Sequence, residues 1–111
     1  MFDFWMHSQY APRPCVDYEM QTTFWEDFTI ADCYGEKAVK DTFRRAFREW
    51  KNFPMYLTEL VMVLNWKCWQ RHDLHEPDAC EMYRAMYEKA YDYAMKHLKG
   101  EDLQKFFEIT D

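Results

Sequence analysis

Four residues in the second half of the chain are of the types that bind transition metals. Cys68, His72, His75 and Cys80 read C-x3-H-x2-H-x4-C, and the four-residue step places Cys68 and His72 on one face of a helix. Zinc accepts Cys and His ligands, but this spacing matches no zinc module. The alternative, which we favour, is that the cysteines are small buried hydrophobic residues and the histidines lie on the surface of a turn. We therefore predict no metal and no cofactor, and keep a metal-binding protein as the weaker alternative.

Sequence patterns typical of common enzymes are missing from the chain. Its single serine is Ser8, so no GxSxG nucleophile elbow exists, and neither HExxH nor Glu-x-x-His occurs. The two glycines, Gly35 and Gly100, lie too far apart to form a phosphate-binding loop. These absences predict that the protein has no catalytic residue and is not an enzyme.

A row of cations follows the second predicted helix, and we call it the basic stripe. At 3.6 residues per turn and 1.5 Å per residue, it occupies about 80° of arc and about 21 Å of helix length. Its members are Lys37, Lys40, Arg44, Arg48 and Lys51. Such a row suits docking of an acidic partner or of a nucleic-acid backbone. The alternative is a solvated face whose cations pair with the chain's many acidic residues.

The third predicted helix has apolar residues on two sides. Its core face is formed by Leu57, Leu60, Val61 and Leu64. A second row, which we call the aromatic stripe, lies on nearly the opposite side and consists of Met62, Trp66 and Trp69. Monomers rarely expose so much apolar surface. We expect the aromatic stripe to be covered by a symmetric partner subunit or by three aromatic residues near the start of the chain, Phe2, Phe4 and Trp5.

The elements that must position these residues are helices. Apolar residues recur at three- and four-residue intervals, which predicts an all-α fold, a small bundle of four to five helices. The first helix is predicted to start after Thr23, which forms a capping-box pattern with Glu26, and to end at Gly35. The others are predicted at 36–51, 55–72, 78–99 and 101–108, with the last folding back over one end of the bundle.

The chain divides into two unequal parts. Residues 1–21 combine aromatic residues with Pro12 and Pro14, which favour extended or turn structure, so we predict an irregular N-terminal arm. Residues 22–111 are predicted to form the helical bundle domain.

Composition and charge restrict the class of protein further. The net charge of −6 disfavours binding to a phosphate backbone, although a local basic patch remains compatible with it. No apolar run is long enough to span a membrane, and the first residues lack the basic start of a signal peptide. The four cysteines form no CxxC pair. We therefore expect a cytoplasmic protein with reduced thiols.

Several segments together resemble a family of short bacterial proteins. They read TTFWEDFTIADCYG, KDTFRRAFREWK, YLTELVMVLNWK and LKGEDLQKFF, and the similarity covers roughly residues 22–111. The family's members resemble the products of small open reading frames on phage-related or conjugative elements. Because the family has no assigned activity, the resemblance implies no catalytic residues and only favours a small accessory or binding protein.

These observations predict a non-enzymatic helical module that binds another macromolecule. The expected partner is a protein, contacted through the basic stripe or the aromatic stripe, and a homodimer through the third helix is one form of such binding. A nucleic-acid-associated accessory protein that uses the basic stripe is the alternative.

Overall fold

The computed structural model describes residues 17–110, with side chains from residue 24 onward. Within that part of the chain it contains five α-helices and no strand. The helices are α1 (Asp17–Tyr34), α2 (Glu36–Trp50), α3 (Pro54–Asp73), α4 (Pro77–His97) and α5 (Glu101–Thr110). The predicted all-α bundle is confirmed. Residues 1–16 of the predicted N-terminal arm lie outside the described residues.

Glycine and proline set most of the helix boundaries. Gly35 alone separates α1 from α2, and its φ of 107° is one that other residues rarely adopt. Pro54 and Pro77 open α3 and α4, where the missing proline N–H costs no helical hydrogen bond. Gly100, with a φ of 60°, precedes α5. These residues explain why four of the five predicted helices lie within two residues of the observed ones.

The start of α1 was predicted wrongly. The capping-box pattern at Thr23 suggested a first turn there, but α1 begins at Asp17, so residues 17–21 of the predicted arm are helical. The same Thr-x-x-Glu pattern also fits inside a helix. Glu19, Met20 and Gln21, which precede it, are good helix formers and extend the helix toward its acidic start.

Helix α3 is the central element of the bundle and contacts all four other helices. Its core face is fully buried, with no exposed surface on Leu57, Leu60, Val61 or Leu64. On the opposite wall, α4 contributes the buried residues Tyr83, Met86, Ala90 and Ala94, and Leu98, directly after the helix, is also buried.

Helix α5 packs against α3 and supplies the buried side chain of Phe106, whose ring lies 5.4 Å from that of Tyr91. Of the helices that the structure describes, none is both long and apolar enough to cross a bilayer.

Candidate functional site

The aromatic stripe lies largely on the surface of α3. Trp66 and Trp69 keep 55% and 57% of their surface exposed, whereas Met62 is partly buried. Trp66 stacks on Trp25 of α1, with ring centroids 4.5 Å apart, and Trp69 meets the ring of His72 edge-on at 5.5 Å. The predicted cover by Phe2, Phe4 and Trp5 falls outside the described residues. Among the described residues, nothing covers the remaining surface of these two side chains, which is more than half of each.

A cleft between α3 and α4 borders the aromatic stripe, and we call it the α3–α4 cleft. It has a volume of about 420 Å³. Trp69 forms part of its wall together with Tyr87, and Arg84 and Glu88 supply charged groups at its edge. Asn65 and His72 add further polar groups to the lining, so the part of the cleft that can accept an apolar side chain is the one formed by the two aromatic rings.

The Cys and His residues predicted as metal-ligand candidates are only partly brought together. The Sγ atoms of Cys68 and Cys80 lie 3.7 Å apart at the α3–α4 cleft, and the Cys68 thiol also lies 3.6 Å from the Cys80 carbonyl oxygen. Burial and the contact with Cys80 raise the pKa of Cys68 to about 11. His72 borders the same cleft but remains exposed and has Asp73 as its neighbour at 3.6 Å.

His75 does not complete a ligand cluster with the two thiols either. It lies exposed in the turn between α3 and α4 with a φ of 59°, and the turn does not place it with the two thiols. Among the side chains that the structure describes, no three His, Cys, Asp or Glu residues are arranged to hold a metal ion. The four-residue cluster considered as a metal site is therefore not assembled here.

The basic stripe lies on the exposed side of α2, where much of its charge is paired. Lys37 and Arg44 both bind Asp41, the former at 2.9 Å, and Lys40 lies 2.7 Å from Glu36. The hydrogen bond from Lys37 holds the pKa of Asp41 below its usual value. These partners come from α2 itself, which is the arrangement expected of a solvated face.

The two remaining cations of the basic stripe are not in salt bridges with any of the described residues. Arg48 is exposed, and the Lys51 ammonium lies over the rings of Phe47 and Tyr93, 5.7 and 5.5 Å from their centroids. Within the basic stripe, Arg48 is therefore the one cation that neither an acidic residue nor an aromatic ring of the described residues engages.

A partly buried ionic cluster joins three helices, and sequence reasoning missed it. Asp32 of α1 accepts hydrogen bonds from Lys67 at 2.8 Å and from Arg71, both on α3, and from the Tyr83 hydroxyl of α4 at 2.5 Å. The Lys67 side chain is 2% exposed and its ammonium lies 4.6 Å from the centre of the Trp25 ring. A second hydrogen bond, 2.9 Å long, ties Arg71 to Glu76 in the following turn.

The surroundings of the ionic cluster shift the pKa values of its members. Burial lowers the pKa of Lys67, against the opposing effect of Asp32. Burial also raises the pKa of Tyr83, and its hydrogen bond to Asp32 acts in the same direction. Every charge in the cluster has an opposite charge in direct contact, so it acts as a connection between helices and leaves no charge free for chemistry.

One signal for the ionic cluster was present in the sequence. Lys67 and Arg71 follow Leu60 and Leu64 by seven residues, which places both cations on the core face of α3. Their shared partner, Asp32, lies 35 residues before Lys67 and carries no local sign of its role.

Comparisons with protein-family models, with curated proteins and with solved structures find no match to this chain.

Proposed function

We propose that this protein is a non-enzymatic helical module that binds another protein through the aromatic stripe and the adjoining α3–α4 cleft. The observation that carries the proposal is the exposure of Trp66 and Trp69, one turn apart, on the helix that forms the centre of the core. Trp is among the residues most enriched at energetic hot spots of protein interfaces. Removing the exposed parts of these two rings from water would stabilise a complex by a few kcal/mol before ordering costs, at about 25 cal/mol per Å².

The chemistry of the cleft indicates what the partner presents. Its wall of Trp69 and Tyr87 suits an apolar side chain such as Leu, Met or Phe. Arg84 and Glu88 are more than half exposed in their side chains and lie one turn apart on α4, where they pair at 3.5 Å. They offer one donor and one acceptor to the polar residues that flank such an anchor. A helical or extended segment with one apolar anchor and mixed charges beside it fits these features.

The basic stripe supports the nucleic-acid alternative less well. Three of its five cations already pair with Asp41 or Glu36 of the same helix, and the whole chain has a net charge of −6. A phosphate backbone would have to displace these pairs and approach an acidic protein.

The proposal is tested by capturing partner proteins from cells and then measuring the affinity of each for this protein. The full chain is used to capture proteins from cells, each captured protein is purified, and its affinity is measured by calorimetry for three chains: wild type, the Trp66→Gln/Trp69→Gln variant, and Tyr34→Gln. Tyr34 is a matched control because it is 79% exposed and lies at the far end of α1. We expect the double variant to lose about 2 kcal/mol or more of binding free energy, and the control to bind like wild type.

Three results contradict the proposal. The first is that no captured protein depends on Trp66 and Trp69. The second is that the bound material is nucleic acid, released by salt and lost in an Arg44→Glu/Arg48→Glu variant, which would favour the basic stripe. The third is that ultracentrifugation shows the chain pairing with itself through the two indoles, which would make the aromatic stripe a subunit interface.

A further inference from the structure

Two thiols from different helices are in contact at the surface of the α3–α4 cleft. Cys68 lies near the end of α3, and Cys80 lies near the start of α4. Their Sγ atoms are 3.7 Å apart, whereas a disulfide requires about 2.05 Å, so each sulfur needs to move by only about 0.8 Å. A displacement of that size is within reach of a side-chain rotation.

The turn between α3 and α4 holds the two thiols in this position. It is closed by backbone hydrogen bonds from His75 to His72 at 3.0 Å and from Glu76 to Arg71 at 3.0 Å. The Arg71 side chain adds a hydrogen bond to the carboxylate of Glu76 at 2.9 Å. The approach of the two sulfurs is therefore a property of the folded turn, which sequence spacing alone does not provide.

Both thiols are also within reach of small solutes. Cys68 and Cys80 are partly exposed and border the α3–α4 cleft. Because burial raises the pKa of Cys68 to about 11, Cys68 is a protonated thiol at neutral pH. Cys68 is therefore the poorer first nucleophile of the two, so we expect the reaction with a small disulfide to begin at Cys80 and to be completed by Cys68.

We propose that Cys68 and Cys80 form a reversible redox modification site, in which a small disulfide such as oxidised glutathione converts the two thiols into one disulfide that links α3 to α4. The Cys80 thiolate attacks one sulfur of glutathione disulfide, forming a mixed disulfide and releasing one glutathione thiolate. The Cys68 thiol then loses its proton to that thiolate and attacks the Cys80 sulfur, releasing the second glutathione. Two electrons pass from the two cysteines to one molecule of glutathione disulfide, which leaves as two molecules of glutathione.

This proposal does not rest on the partner-binding function, although the two thiols border the same α3–α4 cleft, and it agrees with the expectation of four reduced thiols in the cytosol. The reduced state is the resting one, and the disulfide forms when the surrounding glutathione becomes oxidised. Because the disulfide would close a short loop around the turn, it restricts the unfolded chain and makes the pairing of α3 with α4 more resistant to opening.

The test uses the wild-type chain and tryptic mapping. Trypsin cleaves after Arg71, between the two cysteines, so their disulfide joins peptides 68–71 and 72–84. Cys15 and Cys33 both lie in fragment 1–37, because the Arg13–Pro14 bond resists trypsin, and any disulfide to that fragment is a distinct product. After incubation with oxidised glutathione under native conditions, we expect peptides 68–71 and 72–84 to be joined, and reductant to separate them.

Two further measurements decide whether the folded geometry is responsible. The joined peptides should form at least about tenfold faster in the native chain than in urea, since only the fold holds the sulfurs together. The oxidised protein should melt about 5 °C or more above the reduced protein. A Cys68→Ser control should instead stop at the mixed disulfide of Cys80 with glutathione. Equal rates in urea and native buffer, a stable mixed disulfide in the wild type, or cross-links to fragment 1–37 in place of the Cys68–Cys80 bond would overturn the proposal.

Discussion

Two neighbouring residues of α3, Trp66 and Lys67, reverse the usual relation between polarity and burial. Lys67 is 1% exposed although lysine is among the residues least often buried, whereas Trp66 is 55% exposed. Trp69, one turn further along, is 57% exposed. The difference does not come from the hydrophobicity of the side chains. It comes from what the neighbouring helices place opposite each position.

Helix α1 provides Lys67 with two of its partners, and Gln70 of α3 itself accepts a further hydrogen bond from the ammonium at 3.4 Å. The Asp32 carboxylate lies 2.8 Å from its nitrogen, and the Trp25 ring lies beneath it with the centroid at 4.6 Å. On the aromatic stripe, the same Trp25 covers only one face of Trp66. The contrast teaches that the fold pairs the cations on the core face of α3 internally, whereas among the described residues the two Trp side chains of the aromatic stripe remain more than half exposed.

The largest effect is expected from removing the shared carboxylate. Asp32→Ala leaves the buried Lys67 ammonium without a carboxylate partner, and the partly buried Arg71 guanidinium keeps only its pair with Glu76. Breaking a buried pair by removing one member costs about 3–5 kcal/mol, and we expect a loss of this size in the free energy of unfolding measured with urea. Asp41→Ala is the matched control, because Asp41 also pairs with two cations but on the exposed side of α2, where solvent screens the pairs and the expected loss is much smaller.

A second substitution separates the cost of the buried charge from general damage. Adding Lys67→Met to Asp32→Ala removes the uncompensated ammonium and replaces it with an apolar chain of similar length. We expect the double variant to regain about half of the unfolding free energy that Asp32→Ala loses, because the effects of residues in one interacting network do not add. Two results would show that Lys67 does not depend on Asp32. One is an equal loss of unfolding free energy in Asp32→Ala and Asp41→Ala, and the other is a double variant whose loss is the sum of those of Asp32→Ala and Lys67→Met.

The ionic cluster also shows what the sequence could and could not reveal. The seven-residue spacing from Leu60 to Lys67 and from Leu64 to Arg71 places both cations on the core face of α3. Hydrophobicity alone favours burial of Trp66 and exposure of Lys67, which is the reverse of the structure. The deciding residue, Asp32, is distant in sequence and becomes a neighbour only when α1 packs on α3.

Helix boundaries were predictable where a glycine or a proline restricts the backbone conformations that the chain can adopt. Gly35, Pro54 and Pro77 mark boundaries that follow from the conformations these residues allow, and the structure confirms them. The start of α1 has no comparable signal, and its prediction was wrong. The contact between Cys68 and Cys80 depends on the path of the turn between α3 and α4, which their spacing did not define.

A smaller effect is expected from removing one neutral donor of the ionic cluster. Tyr83→Phe deletes the 2.5 Å hydrogen bond to Asp32 and preserves the ring in the core. Because the acceptor is charged, we expect a loss of about 1–2 kcal/mol at neutral pH, measured by urea unfolding. Asp32 keeps its bonds to Lys67 and Arg71, so the loss should be well below that of Asp32→Ala.

Tyr83→Phe should also change how the free energy of unfolding depends on pH. Burial raises the pKa of Tyr83, so it keeps its proton in the fold above about pH 10, where an unfolded tyrosine has lost it. The unfolded chain then binds fewer protons, and the free energy of unfolding falls as the pH rises above that value. Tyr83→Phe should make this fall shallower. The lowered pKa of Lys67 changes the free energy of unfolding with pH in the opposite direction, but Lys67 is present in both chains and its effect cancels in the comparison. Parallel curves of unfolding free energy against pH for the wild type and Tyr83→Phe would argue against a buried hydroxyl at Tyr83.

The smallest effect on stability is expected from the most hydrophobic residues of the comparison. Trp69→Gln replaces a ring that is already more than half in water, so we expect a change within about 0.5 kcal/mol in urea unfolding. Trp66→Gln also loses the stack on Trp25, and aromatic pairs contribute about 0.5–1.5 kcal/mol. Both losses should therefore lie below that of Asp32→Ala, although a core Trp would cost about 3–5 kcal/mol. A loss of that size at either position would mean that the aromatic stripe is covered within the full chain, and it would remove the exposed surface on which partner binding depends.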